Sequence, residues 1–570
     1  MDAGAAGRGG MLHHYNFYAN VALGILLLAG SVWPRLGGRW LGAIEARGSQ
    51  AARHKTACVG GVALLLLLLR LASWPSDGIP IPYVPDEFSY LLAGDTFAHG
   101  RLANPAHPMR LFFETIHVNM SPAYVSKYPP AQGAVLAAGE LLGHPWIGVL
   151  LSMAAMCAAL TWMMQGWLPA RWALLGGILA VTRFYAYNDW VDSYWGGAAA
   201  AIGGALALGA LPRLMRTAEW RQGMILGAGV AILANSRPYE GMIFCLPVAG
   251  ALAWWLARGR AAQGAGPRLR IMASAGGVLL VCAAFMAYYN WRGTGSPLVL
   301  PYQVNDRTYL TTPHFIWQQI EPPRHYRNPQ LDDLYNRWCR EVWQKAQTPT
   351  LTSFARAAWR KLEALQEFYL PGGFFLAPVV TLPWLLRNRK ARYLLLVCAC
   401  TVLGLLAVVW FQAHYAAPMT AAALAVSMMG LRYLRTLGWR GKPYGVGLSR
   451  AVVLAQVLSV YASLAGFGAE YRVPHPLPGW ARDRQGMEAQ LEAMPGQQLV
   501  LVRYGAKHDS THEWVYNRAE IDQSKVVWAR EIPGEDLRPL LEYFHGRQVW
   551  TVAADANPAT LEAYSPSPRP

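Results

Sequence analysis

Apolar stretches long enough to cross a bilayer recur along this chain; a span needs about 20 residues for about 30 Å of hydrocarbon. They run at roughly 15–32, 57–74, 145–165, 172–188, 194–212, 222–236, 240–257, 270–290, 366–386, 393–411, 415–434 and 450–468. The pattern predicts an all-α polytopic membrane protein of about 12 transmembrane helices. Residues 131–142 form a shorter apolar piece, which predicts a juxtamembrane or re-entrant helix. Polar sequence gathers in 75–144, 291–365 and the tail 469–570. In the tail the period changes. Segments 497–505, 526–531 and 548–555 read as buried strands, and 483–494 and 534–546 as amphipathic helices. That alternation predicts a small C-terminal α/β domain with parallel strands. No glycine-rich phosphate loop follows any of these strands, so nucleotide binding is not supported. The chain thus divides into an extra N-terminal span with a basic loop (1–56), a transmembrane domain (57–468) and the α/β domain (469–570).

Composition agrees with the pattern. Of 570 residues, 54% are hydrophobic and only 15% charged, against about 25% charged in soluble domains. A soluble enzyme and a disordered chain are both excluded. The formal charge of +17 would suit a nucleic-acid binder, but the location of the charges says otherwise. The connectors 33–56, 166–171, 212–222, 257–270, 387–392 and 432–450 hold 22 of the 50 basic residues. Only Glu45 and Glu219 are acidic there. Such a bias places these six connectors in the cytoplasm and both termini outside. The three long polar regions then lie outside, where loops carry chemistry. Six of the seven cysteines fall in apolar runs and no CxxC occurs, so neither a disulfide framework nor a structural zinc site is expected. The N-terminus lacks a clear signal peptide. The Gly223–Gly227 GxxxG reads as helix packing.

Candidate chemistry gathers at the outer ends of the spans. The first outer loop opens with Pro85-Asp86-Glu87 and closes with Ser126-Lys127-Tyr128-Pro129-Pro130. Asp189 and Asp192 follow the fourth span, Arg237-Pro238 joins the sixth to the seventh, Arg292 ends the eighth, and His414-Tyr415 opens the eleventh. Carboxylates, cations and aromatics thus converge on one level of the bilayer.

This ordered set resembles the integral-membrane glycosyltransferases of the C superfamily, nearest to the protein O-mannosyltransferases and the lipid A aminoarabinose transferases. The resemblance covers roughly residues 57–435. It rests on Asp86-Glu87, on Lys127 with Pro129-Pro130, on Asp192, on Arg237-Pro238 and on His414-Tyr415. The chain departs from the family in its extra N-terminal span and in a C-terminal domain that matches no acceptor-binding module. The resemblance implies transfer of a hexosyl or pentosyl unit from a polyprenyl-phosphate donor to a glycan, lipid or protein acceptor. The place would be the outer face of the plasma membrane, the bacterial inner membrane, with no nucleic acid involved. Asp86 would be the catalytic base. Glu87, Lys127, Asp192, Arg237, Arg292, His414 and Tyr415 would bind substrate, with Arg183 a weaker candidate. Lys127, Arg237 and Arg292 would neutralise the leaving phosphate. Asp86, Asp192 and His414 leave a divalent cation open.

Plainer readings exist for each residue. Asp86 also fits a helix N-cap. Lys127, Arg237 and Arg292 also fit snorkelling anchors, and His414 and Tyr415 ordinary interfacial aromatics. Arg183, inside a span, calls for a partner such as Asp189 or Asp192. His508 and His512 in the tail read as a polar loop more readily than as a metal site. A transporter would put ionisable residues near mid-membrane, and a scaffold displaying the C-terminal domain would need no outer carboxylates.

Overall fold

The computed structural model describes residues 21–185, 190–258, 265–347, 350–464 and 477–565. Among the described residues five helices are long and apolar enough to cross a membrane: Lys55–Pro75, Pro145–Trp167, Ala198–Thr217, Pro238–Arg258 and Gly266–Thr294. The twelve spans read from the sequence are therefore not all matched. Segments 172–188, 222–236 and 415–434 hold the helices Ala170–Tyr185, Trp220–Ser236 and Thr420–Leu434, of 16, 17 and 15 residues, each shorter than those five; 186–188 lie outside the described residues. Segment 393–411 ends early, in the helix Arg389–Leu406. Segment 366–386 is not one helix. An amphipathic helix, Leu351–Tyr369, stops before Pro371, and the chain restarts as Gly373–Val380 and Leu382–Arg387. The cause is local: Gly372 takes a left-handed φ of 52°, and Pro371 and Pro383 each lack the N–H that a continuous helix uses.

The elements that carry the site are the following. Helix α1 is Lys55–Asp77, α2 Pro85–Ala98, α3 Pro130–Leu141 and α4 Pro145–Trp167. Helix α5 is Ala198–Thr217, α6 Trp220–Ser236, α7 Pro238–Arg258, α8 Ala265–Thr294 and α9 Pro301–Tyr309. Helix α10 is Thr420–Leu434. The short α3 is the apolar piece that the sequence marks as too short to span. It lies against α2 and α4 because small residues let backbones touch. A Cβ on Gly94 would sit 2.8 Å from the Leu136 Cβ, and one on Gly148 1.9 Å from the Val135 carbonyl. The Gly223–Gly227 pair packs α6 on α8 as read: Cβ atoms there would fall 2.7 and 2.8 Å from the carbonyls of Ile271 and Ala275.

The first outer loop forms a three-stranded antiparallel sheet from β1 (Asn104–Pro105), β2 (Val118–Asn119) and β3 (Ala123–Ser126), with β3 central. The tail forms a second sheet, ordered β5-β4-β6-β7. Strands β4 (Gln498–Arg503), β5 (Val526–Arg530) and β6 (Gln548–Ala553) pair in parallel, as the alternation predicts. Strand β7 (Leu561–Ala563) adds antiparallel to β6 and has no counterpart in the sequence reading. This sheet is seated directly on the first loop. Leu92, Phe112, Phe113, Val118 and Tyr124 share one apolar core with Leu499, Leu501, Val527 and Ala529.

Two of the basic connectors, 33–56 and 432–450, meet beside α10. At its C-terminal end Glu45 pairs with Arg435 at 2.7 Å and with Arg450 at 3.0 Å. His414 and Tyr415 precede its N-terminal end. All seven cysteines are free, including buried Cys339.

Candidate active site

Helix α2 starts in the way its sequence dictates. Val84 is the extended N-cap and Pro85 occupies the first turn, where its missing N–H costs nothing. Glu87 reaches back, and its Oε2 accepts from the Val84 and Tyr83 backbone N–H groups at 3.0 Å each. Its Oε1 accepts from the Tyr194 N–H, also at 3.0 Å. Glu87 thus does the capping and ties α2 to the loop after the fourth apolar segment. Burial pushes its carboxyl up to about 7 against those three donors. Asp86 is not the N-cap that the plainer reading offered, and its carboxylate is left for other work.

That carboxylate accepts from the Tyr128 hydroxyl. Burial would raise its pKa, but His117, the Tyr128 hydroxyl, Lys127 and His414 outweigh burial and hold it below the usual carboxylate range. The two imidazoles are themselves pushed down to about 3, chiefly by burial. At neutral pH they act as dipoles, so the Lys127 ammonium is the charge that keeps Asp86 ionised.

Lys127 is positioned by the sheet of the first loop. Its N–H donates to the His117 carbonyl at 3.2 Å, and Ser126 Oγ lies 2.7 Å from Ser89 Oγ of α2. The side chain is 8% exposed. Its ammonium lies over the rings of Tyr128 (5.3 Å) and Tyr302 (5.0 Å). Among the described residues it makes no hydrogen bond or ion pair; Asp306 and Asp86 act on it only at longer range, and burial lowers its pKa. A cleft beside it is lined mainly by apolar groups, Pro129, Pro130, Ala234, Met286, Leu300 and Pro301 among them.

Arg237 ends α6 and lies 4.3 Å from the centre of the Tyr415 ring. Tyr90 of α2 stacks on Tyr128 at 4.4 Å and is charge-coupled to both Arg237 and Asp86. His414 is buried against Trp195, ring centres 4.9 Å apart. Asp86, Lys127, Arg237, His414 and Tyr415 therefore converge, from chain positions more than 300 residues apart.

Asp192 and Arg292 are placed differently. Asp192 accepts from Arg70 at 3.0 Å, and Arg70 is 2% exposed near the C-terminal end of α1. Arg183, for which Asp192 was one expected partner, donates to the Phe368 and Glu367 backbone carbonyls; Asp189 lies outside the described residues. Breaking the Arg70 pair in D192N is expected to cost about 1–3 kcal/mol, read as a lower thermal midpoint of the purified protein. Arg292 is exposed and donates to the Tyr288 hydroxyl at 3.3 Å. R292A is expected to change stability by no more than about 0.5 kcal/mol and transfer rate by less than twofold.

Four further residues belong to the cluster and were not singled out in the sequence: His117, Tyr302, Asp306 and His314. His117 has a left-handed φ of 63°, a conformation that non-glycine residues reach only under constraint. The others come from the second outer loop, and no local motif marks them. In the tail, His508 is held by Asp555 (2.7 Å) and the His512 carbonyl (3.0 Å), a polar loop as read. Among the described residues no group of three or more His, Cys, Asp or Glu side chains is placed to hold a metal ion.

No family model matches the sequence. No curated protein matches it either. Among solved structures the chain is similar to ArnT from Cupriavidus metallidurans bound to undecaprenyl phosphate. The TM-score is 0.46 at 13% identity, covering 87% of this chain and 93% of that one. It is also similar to the Archaeoglobus fulgidus oligosaccharyltransferase in complex with zinc and sulfate, with a TM-score of 0.46 at 10% identity, covering 78% of this chain. The chain spans 60% of that oligosaccharyltransferase's length.

Proposed function

We propose that this chain is a membrane glycosyltransferase that moves a hexosyl or pentosyl unit from a polyprenyl-phosphate donor to an acceptor on the outer face of the plasma membrane. The observation that carries the reading is the Lys127 ammonium. It is buried, without an ion-pair partner among the described residues, with Asp306 and Asp86 acting on it only at longer range, and at the edge of an apolar cleft. A buried cation of this kind is costly unless an anion arrives, and a lipid phosphate supplies one. Helix α8, whose apolar surface is mostly exposed, contributes Met286, Tyr289 and Asn290 to that cleft.

The reaction follows from the charges. Asp86 takes the proton of the acceptor hydroxyl or amine, and the acceptor atom bonds to the anomeric carbon. The bond from that carbon to the phosphate oxygen breaks, and the phosphate leaves with its charge met by Lys127 and Arg237. Glu87 positions α2, and Tyr415 positions Arg237. No step is assigned to a metal ion. The remaining apolar helices complete the membrane domain in this reading, with the C-terminal domain on the outer side.

The test is K127A in purified protein, titrated with undecaprenyl phosphate. The expected result is an affinity at least tenfold weaker than wild type, because charge-assisted hydrogen bonds to phosphate are lost. Equal affinities would overturn the assignment.

A further inference from the structure

Beyond Lys127 the cluster continues into a second group. Helix α9 is pinned to the first outer loop: Asn119 Nδ2 donates to the Pro301 carbonyl at 2.8 Å, and Asn305 Nδ2 to Asn119 Oδ1 at 3.0 Å. This fixes Tyr302 between two partners, the Lys127 ammonium at 5.0 Å and the His314 ring at 5.5 Å from its centre. His314 Nε2 in turn lies 2.7 Å from Asp306 Oδ2. The other oxygen, Asp306 Oδ1, is shielded from solvent and has no hydrogen-bond partner. Asp306 is the strongest opposite charge acting on Lys127, yet the two form no ion pair. An acceptor atom with no donor, held rigidly a short way from a phosphate-binding cation, is a subsite lacking its donor group.

We propose that Asp306, oriented by His314, binds hydroxyl or amine hydrogens of the donor sugar; the inference rests on the polyprenyl-phosphate reading above. In the donor the sugar is joined to the phosphate that Lys127 holds, so groups that read the sugar must stand beside Lys127. A carboxylate suits the task because both its oxygens accept hydrogen bonds, one here engaged by His314 and one open. The His314–Asp306 bond keeps the open oxygen from rotating away. Asp306 is thus a specificity residue, and Asp86 remains the base.

The experiment compares undecaprenyl phosphate with a panel of undecaprenyl-phosphate hexoses and pentoses, titrated into full-length wild type, D306N and H314A. Wild type is expected to bind at least one sugar-bearing lipid about tenfold or more tighter than the bare lipid. D306N, which turns the open acceptor into a donor, is expected to lose that difference, with the bare lipid bound at least as tightly as by wild type because a negative charge acting on Lys127 is gone. H314A is expected to lose part of it. If the preference for sugar survives in D306N, if no sugar improves on bare lipid, or if D306N weakens bare lipid and sugar lipid equally, the subsite is overturned and the donor-lipid reading stands. If wild type binds neither the bare lipid nor any sugar lipid, both fall.

Discussion

D86N is expected to lower the rate of sugar transfer by about 10²–10⁴-fold, the range that a positioned general base contributes. Asn has nearly the shape of Asp and can still accept from the Tyr128 hydroxyl, so binding of undecaprenyl phosphate is expected to persist. The wild-type pH profile gives a second readout. The Asp86 carboxyl is held below the usual range by groups that outweigh its burial. It is therefore ionised, and the base competent, at every pH above that range; the acid limb appears only below it. Lys127, lowered chiefly by burial, loses its charge at a lower pH than an ordinary lysine, which sets the alkaline limb. A broad plateau between the two is expected, measured as initial rate against pH. D86N retaining more than about a tenth of the wild-type rate would remove Asp86 from the chemistry. Stability follows a related rule. His117 and His414 are driven down to about 3 by burial. Their neutral forms stabilise the fold fully above the ordinary histidine pKa of about 6.5, and that contribution is lost progressively as the pH falls below it.

R530M is expected to unseat the C-terminal domain. Arg530 and Glu513 form an ion pair at 0% and 2% exposure. Arg530 also donates to Gln330 Oε1 at 3.1 Å and to the Glu114 carbonyl at 3.3 Å, so it joins the tail to both outer loops. Removing it strands the Glu513 carboxylate in the interior, at a cost of about 3–5 kcal/mol. The effect reaches the site because the same domain stacks Tyr516 on Phe88, ring centres 4.2 Å apart, two residues from Asp86. The Ala519 N–H also donates to Asp95 of α2 at 2.6 Å. A lower thermal transition, faster proteolysis of the tail and slower transfer are expected together. The double variant R530M/E513L, which leaves no stranded charge, is expected to recover much of the stability. An R530M protein with an unchanged transition and rate would mean that the domain is an independent appendage.

The sequence reading reached furthest where the signal is local. Three tail strands, the short helix after Pro130 and the GxxxG packing all follow from period and spacing. Two of the basic connectors meet, as the Glu45 pairs with Arg435 and Arg450 show. Reading spans from hydropathy alone overstated the segment 366–386, because the turn at Pro371-Gly372 lies inside an apolar run and breaks it without changing its hydropathy. The partner of Asp192 was out of reach for a different reason. Arg70 and Asp192 are 122 residues apart, and which cation meets which carboxylate depends on how helices pack. Tyr302, Asp306 and His314 escaped notice likewise: they enter the cluster only because Asn119 and Asn305 fasten α9 to the first loop.

The most direct test of the central claim uses purified full-length protein and undecaprenyl phosphate carrying a radiolabelled hexose or pentose, with total envelope material as acceptor. The measured quantity is the undecaprenyl phosphate released together with label in the acceptor fraction. Wild type is expected to release both in equal amounts from at least one donor, with D86N and K127A close to background. Wild type that releases neither from any donor of the panel, or D86N that matches wild type, would contradict the account.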